Sequence, residues 1–328
     1  MEVYMEDKNF FVLLDGKEAS KRIKSEIAAN LSTYKKNLFE QMKQSSSYPD
    51  YLDDPPKPCL AVVSVGSDPA SAVYVRGKIK DCEECGFTCL HISLSHKSTY
   101  RDIKNQLIDL SEDYGVHGII LQLPLPKKFN KAEEHDLIQY ISRDKDVDCF
   151  TNYNIGKLYH GDYMFAPCTP AGIIDLLLNE YEINIAGADV CIVNRSEIVG
   201  KPLALMMTHM GATVTVCHTL TKDIDEKMKR ADILVVAVGQ EGFINKSNVN
   251  DRVNKGAAVI DVGINRNSKG KVVGDCDMEA LRERAFYVSP VPGGVGLMTR
   301  AMLMKNVFKA YQYQMNIRYL NKFSIDFV

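Results

Sequence analysis

Two residues four apart, Tyr74 and Lys78, set an aromatic ring beside an amine. On a helix that spacing makes them neighbours along one face. An amine held this way can move a proton to or from a reacting group, provided burial or a nearby cation disfavours its ammonium form. A ring and an amine are thus presented together beside the end of a strand. Alone, such a pair is usually a solvated lysine beside a half-buried tyrosine. Its meaning therefore depends on other segments.

The second stretch able to do chemistry is Asn194-Arg-Ser-Glu-Ile-Val-Gly200. It lacks a G-x-G-x-x-G. It does offer the Ser196 hydroxyl, a glycine at 200 where backbone must come close, and the start of a helix, which attracts phosphate. Asn194 stands where a tight turn calls for positive φ, which asparagine tolerates. An ordinary strand-to-helix turn would share this pattern. The end of the next strand reads Cys217-His-Thr-Leu-Thr221, with no carboxylate before Asp223. NAD-binding proteins commonly place one there for the ribose 2′-hydroxyl. Arg195 can instead pair with a 2′-phosphate. NADP is favoured and NAD stays possible, while His218 could equally close its strand through a backbone hydrogen bond.

These residues need elements to hold them. Leu60-Ala-Val-Val-Ser-Val65 predicts a buried strand. After Gly66, Ser67 or Asp68 can cap a helix, Pro69 suits its first turn, and Gly86 stops it. Val75, Ile79 and Cys82 form its buried stripe. Upstream, Ala19, Ile23, Ile27 and Leu31 mark one face of a long helix after the Asp15-Gly16 turn, and a polar loop runs over 41–58. Downstream come a strand over 88–94, a helix over 99–114, a strand over 118–123 closed by Pro124-Leu-Pro126, and a helix from Asn130 to about 141. Thr169 as N-cap and Pro170 at the first position start a helix to about 180. A second series follows, with strands over 190–193, 213–217, 233–238 and 258–262, and helices ending near 210 and spanning 222–230. A last helix covers about 299–313. Alternating strands and helices imply parallel sheets joined by right-handed crossovers. The second series reads as a nucleotide-binding unit.

Composition narrows the class. The 328 residues suffice for two domains, and a net charge of -2 gives no reason to expect nucleic acid or an anionic membrane as partner. No apolar run approaches the roughly 18 residues of a membrane span. The first eight residues carry acids and lack the basic flank and apolar core of a signal peptide. The expectation is a soluble cytoplasmic protein. Nine cysteines, an odd number scattered through apolar segments, suit reduced thiols. Cys82-Glu-Glu-Cys85, with Cys89 and His91 behind it, raises zinc, but no second CxxC exists and the cysteines lie in a predicted helix. Core packing is the reading, with no metal.

With these segments in place, the chain resembles the bifunctional methylenetetrahydrofolate dehydrogenase/methenyltetrahydrofolate cyclohydrolase family over nearly its whole length. The resemblance rests on Leu14-Asp-Gly-Lys17, Val65-Gly-Ser-Asp-Pro-Ala-Ser71, Tyr74-Val-Arg-Gly-Lys78 and Gly118-Ile-Ile-Leu-Gln-Leu-Pro-Leu-Pro126. It continues through Lys145-Asp-Val-Asp148, Pro167-Cys-Thr-Pro170 and Arg195-Ser-Glu-Ile-Val-Gly-Lys-Pro202. Asp261-Val-Gly-Ile-Asn265 and Pro290-Val-Pro-Gly-Gly-Val-Gly296 complete it. The resemblance implies two α/β lobes, the second a Rossmann-like dinucleotide-binding domain, with an active-site cleft between them. The folate-binding catalytic domain would take 1–169 plus the C-terminal helix 298–328, and the NAD(P)-binding domain 170–297.

It also implies roles. Lys78 would be the general acid/base, Tyr74 the ring stacking on the folate's aminobenzoate, Gln122 the amide orienting Lys78, and Asp148 the carboxylate gripping the pterin. Pro124, Gly293 and Gly294 would shape the substrate site. Arg195, Ser196, Gly200, His218, Thr219, Gly239, Ile264 and Thr299 would contact the cofactor. The implied reaction oxidises 5,10-methylenetetrahydrofolate to the methenyl form with NADP, then hydrolyses that to 10-formyltetrahydrofolate. The cofactor takes the hydride while the protein sets distance and angle. The cationic methenyl carbon then accepts water, which needs proton transfer near neutral pH. Partners would be tetrahydrofolate derivatives and a second copy of the chain in a homodimer. The alternatives are an NAD-dependent monofunctional dehydrogenase or a non-catalytic folate-binding subunit. Asn194, Cys149 and Leu297 depart from the family's usual glycine, glycine and proline; Cys276 and Met278 vary in a stretch read as structural.

Overall fold

The computed structural model describes residues 3–4, 11–43 and 54–320. Most of the expected 41–58 loop lies outside them. The chain divides into two units, Lys21–Ala166 with Arg300–Val328, and Met1–Ser20 with Pro167–Thr299.

The first unit is built on a three-stranded parallel sheet in the order Thr88–Leu94, Cys59–Val65, Gly118–Leu121. The middle strand is buried along its whole length, as a run apolar but for Ser64 demands. Its chain leads into the helix Pro69–Glu84, where Asp68 rather than Ser67 is the cap, accepting the Ser71 N–H at 2.7 Å. Such a cap contributes about 1 kcal/mol. Gly86 takes φ +76° just beyond the helix, a conformation glycine adopts without steric cost. Val75 and Cys82 are buried and Ile79 half-buried, so the stripe is narrower than its spacing suggested. The helix Tyr100–Glu112 carries a complete Thr99/Asp102 capping box, and Lys131–Ile138 one made by Asn130 and Glu133. The latter helix stops three residues short of expectation. A helix over Asn152–His160, capped by Thr151, was not foreseen.

The second unit holds a seven-stranded sheet. Its order is Val3–Tyr4, Phe11–Leu13, Tyr287–Val288, Ala258–Asp261, Ile233–Val236, Asp189–Val193, Thr213–Cys217. Only the outermost pair, Val3–Tyr4 with Phe11–Leu13, is antiparallel. Phe11–Leu13 pairs with Tyr287–Val288, so the residues up to Ser20 join this unit instead of the folate lobe to which the sequence had assigned them. Strands of two or three residues have too little periodicity to be read.

Two helices start differently from expectation. Cys168–Asp175 begins with Pro167 in the cap position and no side-chain cap, and residues Leu176–Glu180 continue as a π-helix. Thr169 does not cap; its hydroxyl meets that of Thr299 at 3.1 Å. The last helix runs Val295–Leu320, starting four residues before the expected Thr299. Among the described residues, no helix is long and apolar enough to cross a membrane.

Candidate active site

In an open parallel sheet, ligands bind beyond the carboxyl ends of strands at the point where the chain reverses its direction of winding. In the first unit that point lies between Cys59–Val65 and Gly118–Leu121, since the chain passes from the middle strand to one side and then returns to the other. The helix bearing Tyr74 and Lys78 follows the first of these strands, and Gln122 follows the second, its N–H bonded to Val63 O at 2.8 Å. Lys78 Nζ donates to Gln122 Oε1 at 3.0 Å. Gln122 Nε2 donates in turn to Leu123 O at 2.8 Å, which settles which end of the amide faces the lysine. Lys78 and Gln122 are half-buried, and Tyr74, one turn earlier, leaves 40% of its surface exposed. Pro124 is exposed after a cis peptide.

The Lys145–Asp148 motif divides its work. Lys145 is buried and donates to the carbonyls of Leu110 and Asp113 at 3.1 and 2.6 Å. Asp146 is buried too, accepting from Phe150 N, Thr151 N, Thr151 Oγ1 and Asn154 Nδ2 at 2.7–3.0 Å. These bonds start the helix Asn152–His160. Asp148 is the one polar member left half-buried.

The residues that fix the lysine-bearing helix were not visible in the sequence. Asp81, 1% exposed, accepts from Lys24 Nζ at 2.8 Å and Arg300 Nε at 2.5 Å. Arg300 also donates to Gly77 O at 2.9 Å, and a Cβ at Gly77 would lie 2.8 Å from its Cζ. Glycine next to Lys78 is thus what lets the guanidinium approach. Burial alone would lower the Lys24 pKa, but its bonds to Asp81 and Glu84 outweigh that and raise it. Cys82 and Cys85 are buried thiols in this core, Cys82 lying 3.8 Å from the sulfur of Met304.

In the second unit the reversal lies between Asp189–Val193 and Ile233–Val236. Asn194 spans it: Nδ2 donates to Ala237 O at 2.6 Å, while Oδ1 accepts from Ser196 N at 2.7 Å and Gly200 N at 3.1 Å. The positive φ expected at Asn194 is not adopted; its carboxamide braces the turn instead. A Cβ at Gly200 would lie 2.2 Å from Asn194 O, so only glycine fits. Ser196 Oγ accepts from Val199 N at 3.1 Å, which leaves its proton to donate. Arg195 is exposed and paired with no carboxylate among the described residues. His218 does close its strand: it donates from its backbone to Thr221 Oγ1, and its Nδ1 accepts from Leu220 N at 3.2 Å. Its Nε2 is left to carry the ring proton. Thr219, Gly239 and Ile264 are exposed on the turns after three parallel strands of this sheet. Thr299 donates to Val295 O at 3.1 Å, Gly293 takes φ +116° and Gly294 is buried. A guanidinium with no carboxylate partner among the described residues, a hydroxyl proton left to donate and no carboxylate at the strand end suit a phosphorylated ribose.

Family models described as tetrahydrofolate dehydrogenase/cyclohydrolase match the chain twice, as catalytic domain over residues 14–148 and as NAD(P)-binding domain over 167–315. The chain belongs to the tetrahydrofolate dehydrogenase/cyclohydrolase family. The bifunctional protein FolD of Acetivibrio thermocellus is 44% identical over 93% of this chain and 99% of its own. The crystal structure of the bifunctional enzyme FolD from Campylobacter jejuni superposes with TM-score 0.80 at 40% identity, covering 92% of this chain and 99% of that one. The Trypanosoma brucei dehydrogenase-cyclohydrolase, complexed with NADP cofactor and inhibitor, gives TM-score 0.79 at 30% identity over 92% and 97%.

Two departures from this dehydrogenase/cyclohydrolase pattern now have a local reading. Cys149, buried beside Asp148, takes φ +61°, the region that favours glycine, and its thiol donates to Phe165 O at 3.3 Å. Leu297 donates its N–H to Gly294 O at 3.2 Å, a bond proline could not make.

Proposed function

We propose that the protein oxidises 5,10-methylenetetrahydrofolate to 5,10-methenyltetrahydrofolate with NADP and hydrolyses the methenyl form to 10-formyltetrahydrofolate. The observation that carries this reading is the Lys78–Gln122 hydrogen bond with Tyr74 one turn before it. Bound NADP supplies the hydride acceptor. Gln122 holds the amine of Lys78 where it can take a proton from the attacking water and return one to the ring nitrogen as the bridge opens. Tyr74 stacks on the aminobenzoate ring, Asp148 accepts from the pterin, and Pro124, Gly293 and Gly294 bound the substrate.

Arg195 and Ser196 hold cofactor phosphate. Gly200, His218, Thr219, Gly239, Ile264 and Thr299 line the rest of the cofactor's path. The missing strand-end carboxylate and an Arg195 with no carboxylate partner among the described residues favour NADP over NAD. The protein works in the cytoplasm as a homodimer formed through its dinucleotide-binding unit.

A spectrophotometric assay on 5,10-methylenetetrahydrofolate with NADP and NAD in parallel, followed by the methenyl compound without cofactor, tests the reading. NADP-dependent oxidation together with cofactor-independent hydrolysis is expected. Turnover with NAD alone, or absence of hydrolysis, would overturn it.

A further inference from the structure

The turn that carries Gly239 does not hold itself. The N–H groups of three successive residues converge on a single carboxylate. Val238 and Gly239 donate to Asp275 Oδ2 at 2.6 and 3.1 Å, and Gln240 donates to Oδ1 at 2.7 Å. Successive N–H groups turned inward make an anion-binding nest. Here the anion is built into the chain, so these donors are already committed.

A fourth donor comes from the neighbouring strand's turn. Asn265 Nδ2 reaches Asp275 Oδ1 at 2.9 Å and Gly274 O at 3.0 Å. Asp275 has no exposed surface, and four donors account for the four lone-pair sites of a carboxylate. Asp275 is itself fixed by a second buried acid. Asp261 Oδ1 accepts from Asp275 N at 3.0 Å and Oδ2 from Cys276 N at 2.9 Å. Two glycines make room: a Cβ at Gly263 would lie 2.1 Å from Asp275 Cγ, and one at Gly274 1.9 Å from Asp261 Oδ2.

The two turns tied in this way follow the adjacent parallel strands Ile233–Val236 and Ala258–Asp261. Each presents one exposed apolar side chain, Val238 and Ile264. Beyond such strand ends a dinucleotide lies. We infer that Asp275 is a positioning residue for the cofactor: it locks the turn over 237–240 to Asn265 and so sets the affinity for NADP without touching it. This rests on the dinucleotide reading given above. It also gives the Gly274-Asp-Cys-Asp277 stretch, first read as purely structural, a part in cofactor binding.

The test is the pair Asp275→Asn and Asn265→Ala, studied in the full-length protein. The amide of Asp275→Asn turns an N–H₂ towards backbone N–H donors, while Asn265→Ala removes only the fourth donor. Direct titration with NADP is expected to show the dissociation constant raised about 10- to 100-fold in Asp275→Asn and a few-fold in Asn265→Ala. Cyclohydrolase turnover on the methenyl compound, measured without cofactor, should stay within about twofold of wild type in both. Should Asp275→Asn fail to fold, Asn265→Ala still decides. Equal loss of hydrolysis and NADP affinity would mean a merely structural role, and unchanged affinity would overturn the inference outright. If wild type itself binds no NADP, the dinucleotide reading fails first.

Discussion

Lys78 Nζ and Gln122 Oε1 stand 3.0 Å apart, joining a helix to the turn after a strand 44 residues further along the chain. The amide oxygen accepts from the amine while the other end of the carboxamide donates to Leu123 O, so Gln122 orients the amine from a fixed position. Replacing Lys78 by Met removes the proton carrier but keeps its length. Cyclohydrolase turnover should fall by at least about 10²-fold, the usual worth of a positioned acid/base, while part of the dehydrogenase survives. Equal and complete loss of both activities in a folded variant would contradict the assigned role.

Gln122→Glu puts a carboxylate in contact with that amine. A negative charge at this distance favours the ammonium form, so the rising limb of the cyclohydrolase pH profile should move to higher pH. A profile that loses amplitude without moving would argue that the lysine is not the titrating base.

Asp81→Ala leaves Lys24 and Arg300 without the carboxylate they share. Removing one member of a buried charge cluster costs about 3–5 kcal/mol. Both cations keep partial solvent access, so the lower end of that range is expected in urea unfolding. A loss below about 1 kcal/mol would show that the cluster relaxes freely.

Cys149 sets two effects against each other. Its left-handed backbone costs roughly 1–2 kcal/mol for a residue with a Cβ, and its buried side chain returns a similar amount. Cys149→Gly should therefore change unfolding free energy by less than about 1 kcal/mol. Cys149→Val, β-branched at φ +61°, should lose about 2 kcal/mol or more. Equal effects of the two in denaturant titrations would refute this balance.

Burial pushes the Asp261 carboxyl up to about 6; three backbone N–H bonds oppose that shift, and the neighbouring Asp275 charge adds to it. The folded state then binds its proton more readily than the unfolded state. This group's cost is absent below about pH 4, grows as pH rises, and is complete above about pH 6. Between pH 7 and 5 wild type should gain about 1 kcal/mol relative to Asp261→Asn, read as the difference between their urea unfolding free energies at the two pH values. A pH-independent difference would rule out titration of Asp261 in that range.

The sequence alone determined whatever depends on short range. Apolar runs and capping residues marked the central strand, the helix that bears Tyr74 and Lys78, and most of the second strand-and-helix series. The ordered motifs placed the chain in its family. Local pattern failed where partners are distant. Thr169 has the makings of an N-cap, yet its hydroxyl belongs to Thr299, 130 residues away. Asp81 reads as one more acid on a helix until Arg300 arrives from 219 residues further on. Asn194 looked like a conformational need and proved to be a hydrogen-bonding one, and three backbone donors around Gly239 wait on an aspartate about 35 positions later. Propensity and periodicity act over a few residues, whereas a buried polar group must find its partner wherever packing brings one. Only the tertiary structure could say which partner that is.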